Sequence, residues 1–381
     1  MALVDAVPAG AARQPRPAFL SPAVDFLCLG GGSLLLLPVL MWVVPDHFNV
    51  QALAFATLLA NVINNPHFAN SYQIFYRTFG VIVSDPASDR MLRTRYLWAG
   101  VGAPVLIVLS FAAALAWGNA RTIGLAGNAM GFFVGWHYVK QGYGMLMVDA
   151  AQRRGYFGAS DKKVLLVNSY ACWIVSWLAV NATAHERNLW GLRFAMLDVP
   201  PALLWLGGGV LAVTSAYTAW ILVRHARAHR GTVPVTGIMA YIAALYPWIF
   251  LFSQPVLGVL IPAMHSLQYL VIVWRYQINV EQAKPDAAMR PSWIRSMRFA
   301  PTKAVIRFVV FIVWAIALGV FGFWAFPTLL DTVVPYNHAM YGNYLFMFLL
   351  TIFINIHHYF IDNAMWRKEN PHTLRHLFGH R

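Results

Sequence analysis

Residues 351–367, TIFINIHHYFIDNAMWR, start as an apolar helix and end in a basic flank; within them lie His357, His358 and, one helical turn on, Asp362. Apart from Asp25 and Asp149 at the edges of apolar stretches, Asp362 is the acid that falls inside a hydrophobic segment. An ionisable group at that depth is costly, so it marks a site by default. Three other apolar stretches carry one histidine each: His67 in QALAFATLLANVINNPHFANSYQI (51–74), His137 in GFFVGWHYVKQGYGM (131–145) and His265 in IPAMHSLQYLVIVWRY (261–276). The rest of the chain reads as a scaffold for these histidines.

The composition supports that frame. Of 381 residues, 59% are hydrophobic and 11% charged, against about 25% charged in soluble domains. The 15 Trp, 16 Tyr and 25 Phe suit aromatic belts at two membrane interfaces. A net charge of +14 raises the question of nucleic acid, but the positive residues sit in short loops on one side, as the positive-inside rule requires, so no nucleic-acid partner is expected. Cys28 and Cys172 lie in apolar segments, without the spacing of a disulfide framework or a cysteine metal site.

A span needs roughly 20 apolar residues. About ten candidates follow in order, near 26–44, 51–74, 96–118, 122–148, 164–184, 201–223, 235–252, 255–276, 305–326 and 344–362. With this count, all 28 Lys and Arg except Arg121, Arg187, Arg193 and Lys140 fall on one face, and both termini lie in the cytoplasm. The expected fold is all-α: a polytopic transmembrane helical bundle over 25–363, preceded by a disordered cytoplasmic tail (1–24) and followed by a basic cytoplasmic tail (364–381). The expected location is a bacterial inner membrane, with the lipid bilayer as solvent.

The histidines fall at one depth. His67, His265 and His357 each precede a flanking arginine (Arg77, Arg275, Arg367) by ten residues, which places them about 15 Å above it. His137 falls in a similar region. His67, His137, His265, His357 and His358 are therefore candidate metal ligands in the inner half of the bilayer. Neutral imidazole is the commonest metal ligand and suits iron, zinc, copper and nickel. Without cysteine ligands, a non-haem iron site of one or two ions is expected, with zinc as the alternative. His357 and His358 point about 100° apart on a helix, so either one of them is a ligand and the other a supporting residue, or two ions are bound. Asn64, Gln141 and Gln268, at helical spacing from the histidines, are placed to accept or donate at the other ring nitrogen. Asp362, Lys140 and Tyr269 are the candidate catalytic groups, orienting ligands or moving protons.

The motifs Pro66-His67-Phe68, His265-Ser266 with Val273-Trp274, and His357 with Ile361-Asp362 resemble those of the Brp/Blh family of membrane-bound β-carotene 15,15′-dioxygenases, with His137 resembling that family's isolated histidine. The resemblance implies four histidines around a non-haem iron and O2 acting on a hydrophobic substrate such as a lipid, isoprenoid or carotenoid. The chain departs from the family pattern at Tyr269, where a second histidine is usual, at Ser71, where an acid is usual, and at Ile356, where a proline is usual; His358 is additional.

The function expected is an integral-membrane non-haem iron oxygenase. A dioxygenase would need no reductase, whereas a hydroxylase or desaturase would need an electron donor. A metal-ion or proton transporter would also place His, Lys and Asp inside the membrane, but should continue its polar residues across, and QALAFATLLA (51–60) is nearly all apolar. Bis-histidine haem ligation is a third class, and five histidines exceed what one haem needs.

Overall fold

The computed structural model describes residues 18–42, 51, 54–55, 58–183, 188–250, 257–292, 300–367 and 369–378. Among these residues the chain is helical almost throughout, and its strand pairing is a two-residue clasp of Asn188–Leu189 on Leu192–Arg193. The main helices are α1 (Pro22–Val39), α2 (Asn65–Ser84), α3 (Arg90–Ala116), α4 (Ala120–Gln152), α5 (Ala159–Thr183), α6 (Pro201–Ala228), α7 (Val235–Leu245), α8 (Leu257–Gln282), α9 (Lys303–Val333) and α10 (Leu345–Met365). Six of them, α1, α3, α5, α6, α9 and α10, are long and apolar enough to cross a membrane. Helix α7 is short, and α2, α4 and α8 are the helices that carry His67, His137 and His265 with their polar neighbours. Helix α10, which carries His358 and Asp362, is among the six.

Side-chain caps start several helices by accepting otherwise unpaired backbone N–H groups. Asp89 accepts from Leu92 N at 2.9 Å ahead of α3, and Asn119 accepts from Arg121 N at 2.8 Å ahead of α4. At the N-terminal side, the Asp25 carboxylate accepts from Phe19 N (2.5 Å) and Leu20 N (3.0 Å), which ties these two residues to α1. The remainder of the expected N-terminal tail lies outside the described residues. The basic C-terminal segment is docked too: Asn370 donates to the Tyr96 hydroxyl at 2.9 Å, and Thr373 donates to the Met365 carbonyl at 2.8 Å.

Helix α10 is the axis of the bundle. Of its most apolar stretch 61% is buried, against 17–33% for the other five candidate spans. It packs on α2, α3, α4 and α9. Helix α6 shows the opposite extreme, with Trp205 82% and Val213 71% exposed, as suits a lipid-facing surface. Two close approaches set how the helices sit. A Cβ on Gly142 of α4 would stand 2.5 Å from the Ala244 Cβ of α7, and a Cβ on Gly319 of α9 would stand 2.9 Å from the Asn65 Cβ of α2. Immediately before α2 the backbone widens into a π turn, Ala60–Asn64, and Pro66 occupies the first turn of the helix, where its missing N–H costs nothing. His67 follows directly.

Candidate metal centre

Four helices deliver the site. His67 comes from α2, His137 from α4, His265 from α8, and His358 and Asp362 from α10, one turn apart on one face. All five are buried, with exposures of 0%, 6%, 4%, 0% and 6% in that order. The four imidazoles form a closed quadrilateral. Ring centroids are 5.4 Å apart for His67 and His265, 4.9 Å for His265 and His137, 4.9 Å for His137 and His358, and 4.5 Å for His358 and His67. One donor atom each from His67, His137 and His265 lie within 4.8 Å of one another, and so do donor atoms of His137, His358 and Asp362. His137 is common to both groups.

The surrounding residues fix these rings. His67 directs Nδ1 at the Asn64 carbonyl (3.2 Å) and lies 3.1 Å from the Ser266 hydroxyl. The Ser266 hydroxyl in turn donates to Asn64 Oδ1 at 2.8 Å. An Nδ1–H given to a carbonyl leaves the Nε2 lone pair facing the centre, the arrangement that metal-bound histidines commonly show. Tyr138 stacks on His265 at 3.6 Å between centroids with 5° between planes, and Tyr359 stacks on His137 at 4.5 Å and 23°. Asp362 accepts from the Tyr269 hydroxyl through Oδ1 at 2.8 Å. Its Oδ2 approaches His358 Nε2 to 3.3 Å and His137 Nε2 to 3.8 Å, without hydrogen-bond alignment. The Tyr269 hydroxyl also meets Ser71 Oγ and accepts from Trp366 Nε1 at 3.2 Å.

The structure does not bring His357 into the group. Its Nδ1 is 2.8 Å from the Tyr72 hydroxyl and its Nε2 is 2.9 Å from the Ala99 carbonyl, so both nitrogens are engaged away from the centre. His358, not His357, is the ring of this pair that faces His67 and His137. Adjacent helical residues diverge by about 100°, and the packing of α10 turns His358 inward. Gln141 and Gln268 are close by but hold no imidazole nitrogen: Gln141 donates to the His265 carbonyl (3.0 Å) and Gln268 Oε1 (3.3 Å), and Gln268 donates to the Leu29 carbonyl (2.8 Å). They join helices α4 and α8 to the start of α1. Ser266 belongs to the His265-Ser266 motif, whereas Tyr138 and Tyr359 carry no spacing signal beyond being the immediate chain neighbours of His137 and His358.

The residues fit a metal ion. His67 Nε2, His137 Nε2, both nitrogens of His265 and of His358, and Asp362 Oδ2 are buried with no hydrogen-bond partner among the described residues. Buried polar atoms are rarely left unpaired, and a concentration of them around one point calls for a bound group. An all-nitrogen and oxygen donor set of this kind suits iron or zinc. Beside the centre, a cavity of about 280 Å³ is lined by His137, Tyr269, Tyr359 and Asp362, and also by Val148 and Leu377. No protein-family model, curated protein or solved structure matches the chain.

Proposed function

We propose that the chain is a multi-pass membrane oxygenase, of about ten spans with both termini in the cytoplasm of a bacterial inner membrane, acting with O2 on a hydrophobic substrate at a non-haem iron. The observation that carries this reading is the closed set of four buried imidazoles with unpaired donor atoms, completed by a carboxylate and bordered by a cavity. The resemblance of the histidine motifs to those of the Brp/Blh family supports the same chemistry.

His67, His137, His265 and His358 would hold the metal, with Asp362 completing the set. Iron held there would supply the electrons that activate O2, which side chains alone do not. The chain's own contribution is positional. Asn64 and Ser266 set the His67 ring, Tyr138 and Tyr359 clamp His265 and His137 by stacking, and Tyr269 anchors Asp362. The aromatic and aliphatic wall of the cavity would bring an apolar substrate beside the centre and keep bulk water away from it.

The test is metal content of the purified protein by plasma mass spectrometry, wild type beside His265→Ala. Iron near one or two equivalents in the wild type, lost in a variant that still inserts, is the expected result. Zinc instead of iron would replace oxygen chemistry with hydrolytic or structural chemistry. Absence of metal from both proteins would overturn the reading in favour of a proton or metal-ion pathway through the same residues.

A further inference from the structure

The cavity beside the centre is mostly aromatic and aliphatic, yet two cations line it, Lys140 of α4 and Arg367 just past the end of α10. Lys140 is half-buried one helical turn beyond His137 and has no hydrogen bond or ion pair among the described residues. Arg367 gives its Nε to the Asn363 carbonyl (2.8 Å) and its Nη2 to Asn363 Oδ1 (2.7 Å), both uncharged acceptors. The carboxylate in electrostatic range of Arg367 is Glu369, which is exposed. Both cations line one cavity. Asp362, the acid on the cavity wall, is no counter-ion for them, because it is held by Tyr269 and directed at His137 and His358.

Two half-buried positive charges on the wall of one mostly apolar cavity, neither in a salt bridge among the described residues, are costly unless an anion completes them. A neutral hydrocarbon would leave them uncompensated. Resting on the oxygenase reading of the site, we propose that the substrate is an amphiphile with a single apolar chain and a carboxylate or phosphate head, and that Lys140 and Arg367 hold that head. With Nε and Nη2 given to Asn363, Arg367 keeps its Nη1 donors for a ligand and Lys140 adds a point charge, so the two can serve different oxygens of one anionic group. Met145, Val148, Ile272 and Leu377 also line the cavity and would receive apolar chain. Because Lys140 lies about 4.5 Å along the helix axis from His137, a head held there would bring the carbons next to it closest to the centre.

The experiment is equilibrium binding of radiolabelled laurate to the full chain in nanodiscs of zwitterionic lipid, with empty nanodiscs as blank and metal content measured on the same samples. Dodecyl phosphate, dodecanol and acetate serve as competitors. Laurate should bind; dodecyl phosphate should compete and dodecanol should do so at least tenfold more weakly. Lys140→Gln and Arg367→Gln should each weaken binding by roughly tenfold to a hundredfold, the size of one lost charge-assisted hydrogen bond, while Lys140→Arg retains it. Gly144 supplies a variant that does not touch the charges. It lines the cavity and a Cβ there meets nothing within 4 Å, so Gly144→Leu should fill the space, abolish laurate binding and leave metal content unchanged. Equal competition by dodecanol and laurate, or unchanged affinity in Lys140→Gln, would overturn the assignment of an anionic head. Acetate competing as well as laurate would reduce the pocket to a small-anion site and overturn the lipid. Charge-dependent laurate binding to protein that holds no metal would sustain the head-group inference while removing the oxygenase reading, so the two fail separately.

Discussion

The Tyr269 hydroxyl donates to Asp362 Oδ1 at 2.8 Å, which leaves Oδ2 turned toward His358 and His137. These two side chains come from α8 and α10, so one hydrogen bond ties two of the four helices that form the centre. The same hydroxyl meets Ser71 of α2. Ser71 and Tyr269 therefore touch each other, and together they orient the carboxylate.

Loss of that anchor should weaken the metal rather than the fold. Tyr269→Phe keeps the ring that packs against His67 and His358 and removes only the hydroxyl. Outer-sphere partners of this kind are worth about 10- to 100-fold in metal affinity. Titration with a graded series of chelators should show that weakening for Tyr269→Phe and a larger one for Asp362→Ala.

The two adjacent histidines should behave oppositely. His358→Ala is expected to lose bound metal. His357→Ala is expected to keep it and to lose stability, because the Tyr72 hydroxyl and the Ala99 carbonyl are left without their partner, at a cost of about 1–3 kcal/mol. Metal stoichiometry and the thermal unfolding midpoint, measured on the same preparations, separate the two. Metal loss in His357→Ala with retention in His358→Ala would contradict the placement of both rings.

Helix spacing should control the centre from a distance. Gly142 lies where a Cβ would stand 2.5 Å from the Ala244 Cβ, so Gly142→Leu must push α4 away from α7. Overpacking of this size costs about 1–3 kcal/mol. Since His137 is on α4, metal should be lost along with thermal stability. A variant with wild-type midpoint and full metal content would show that the close approach is not needed.

Acid should report on the loop between α8 and α9. Hydrogen bonding to Lys303, helped by Arg307, holds the Asp286 carboxyl below its ordinary value of 3.8. A carboxyl lowered in the folded state stabilises the fold above its unfolded value, and that contribution is lost as pH falls through the folded one. The difference in unfolding midpoint between wild type and Asp286→Asn should therefore be small but constant from about pH 7 to pH 5 and vanish well below 3.8. A difference that grows on acidification would have the wrong sign.

Much of the centre could be read along the chain. Their spacing from flanking arginines singles out His67, His265 and His357, and apolar surroundings add His137 and His358; four of these five candidates, all but His357, lie together with Asp362. The exception is instructive. His357 and His358 are indistinguishable by depth and composition; they differ only in direction, and direction has meaning only once α10 has a rotation relative to α2, α3 and α4. Gln141 and Gln268 illustrate the same limit: spacing placed them beside the histidines, yet their amides serve backbone carbonyls and each other.

Helix, depth and apolarity are local properties. In apolar surroundings every backbone polar group needs a partner, and a helix satisfies them within one segment; runs of hydrophobic residues therefore announced the helices, and the flanking charges announced their ends. The facing of the helices is not local. It follows from contacts between residues far apart in the chain, such as Gly142 with Ala244, Gly319 with Asn65 and Tyr269 with Asp362. Those contacts turn His358 inward and His357 outward, close the four imidazoles into one ring, and leave Lys140 and Arg367 on the wall of a single cavity.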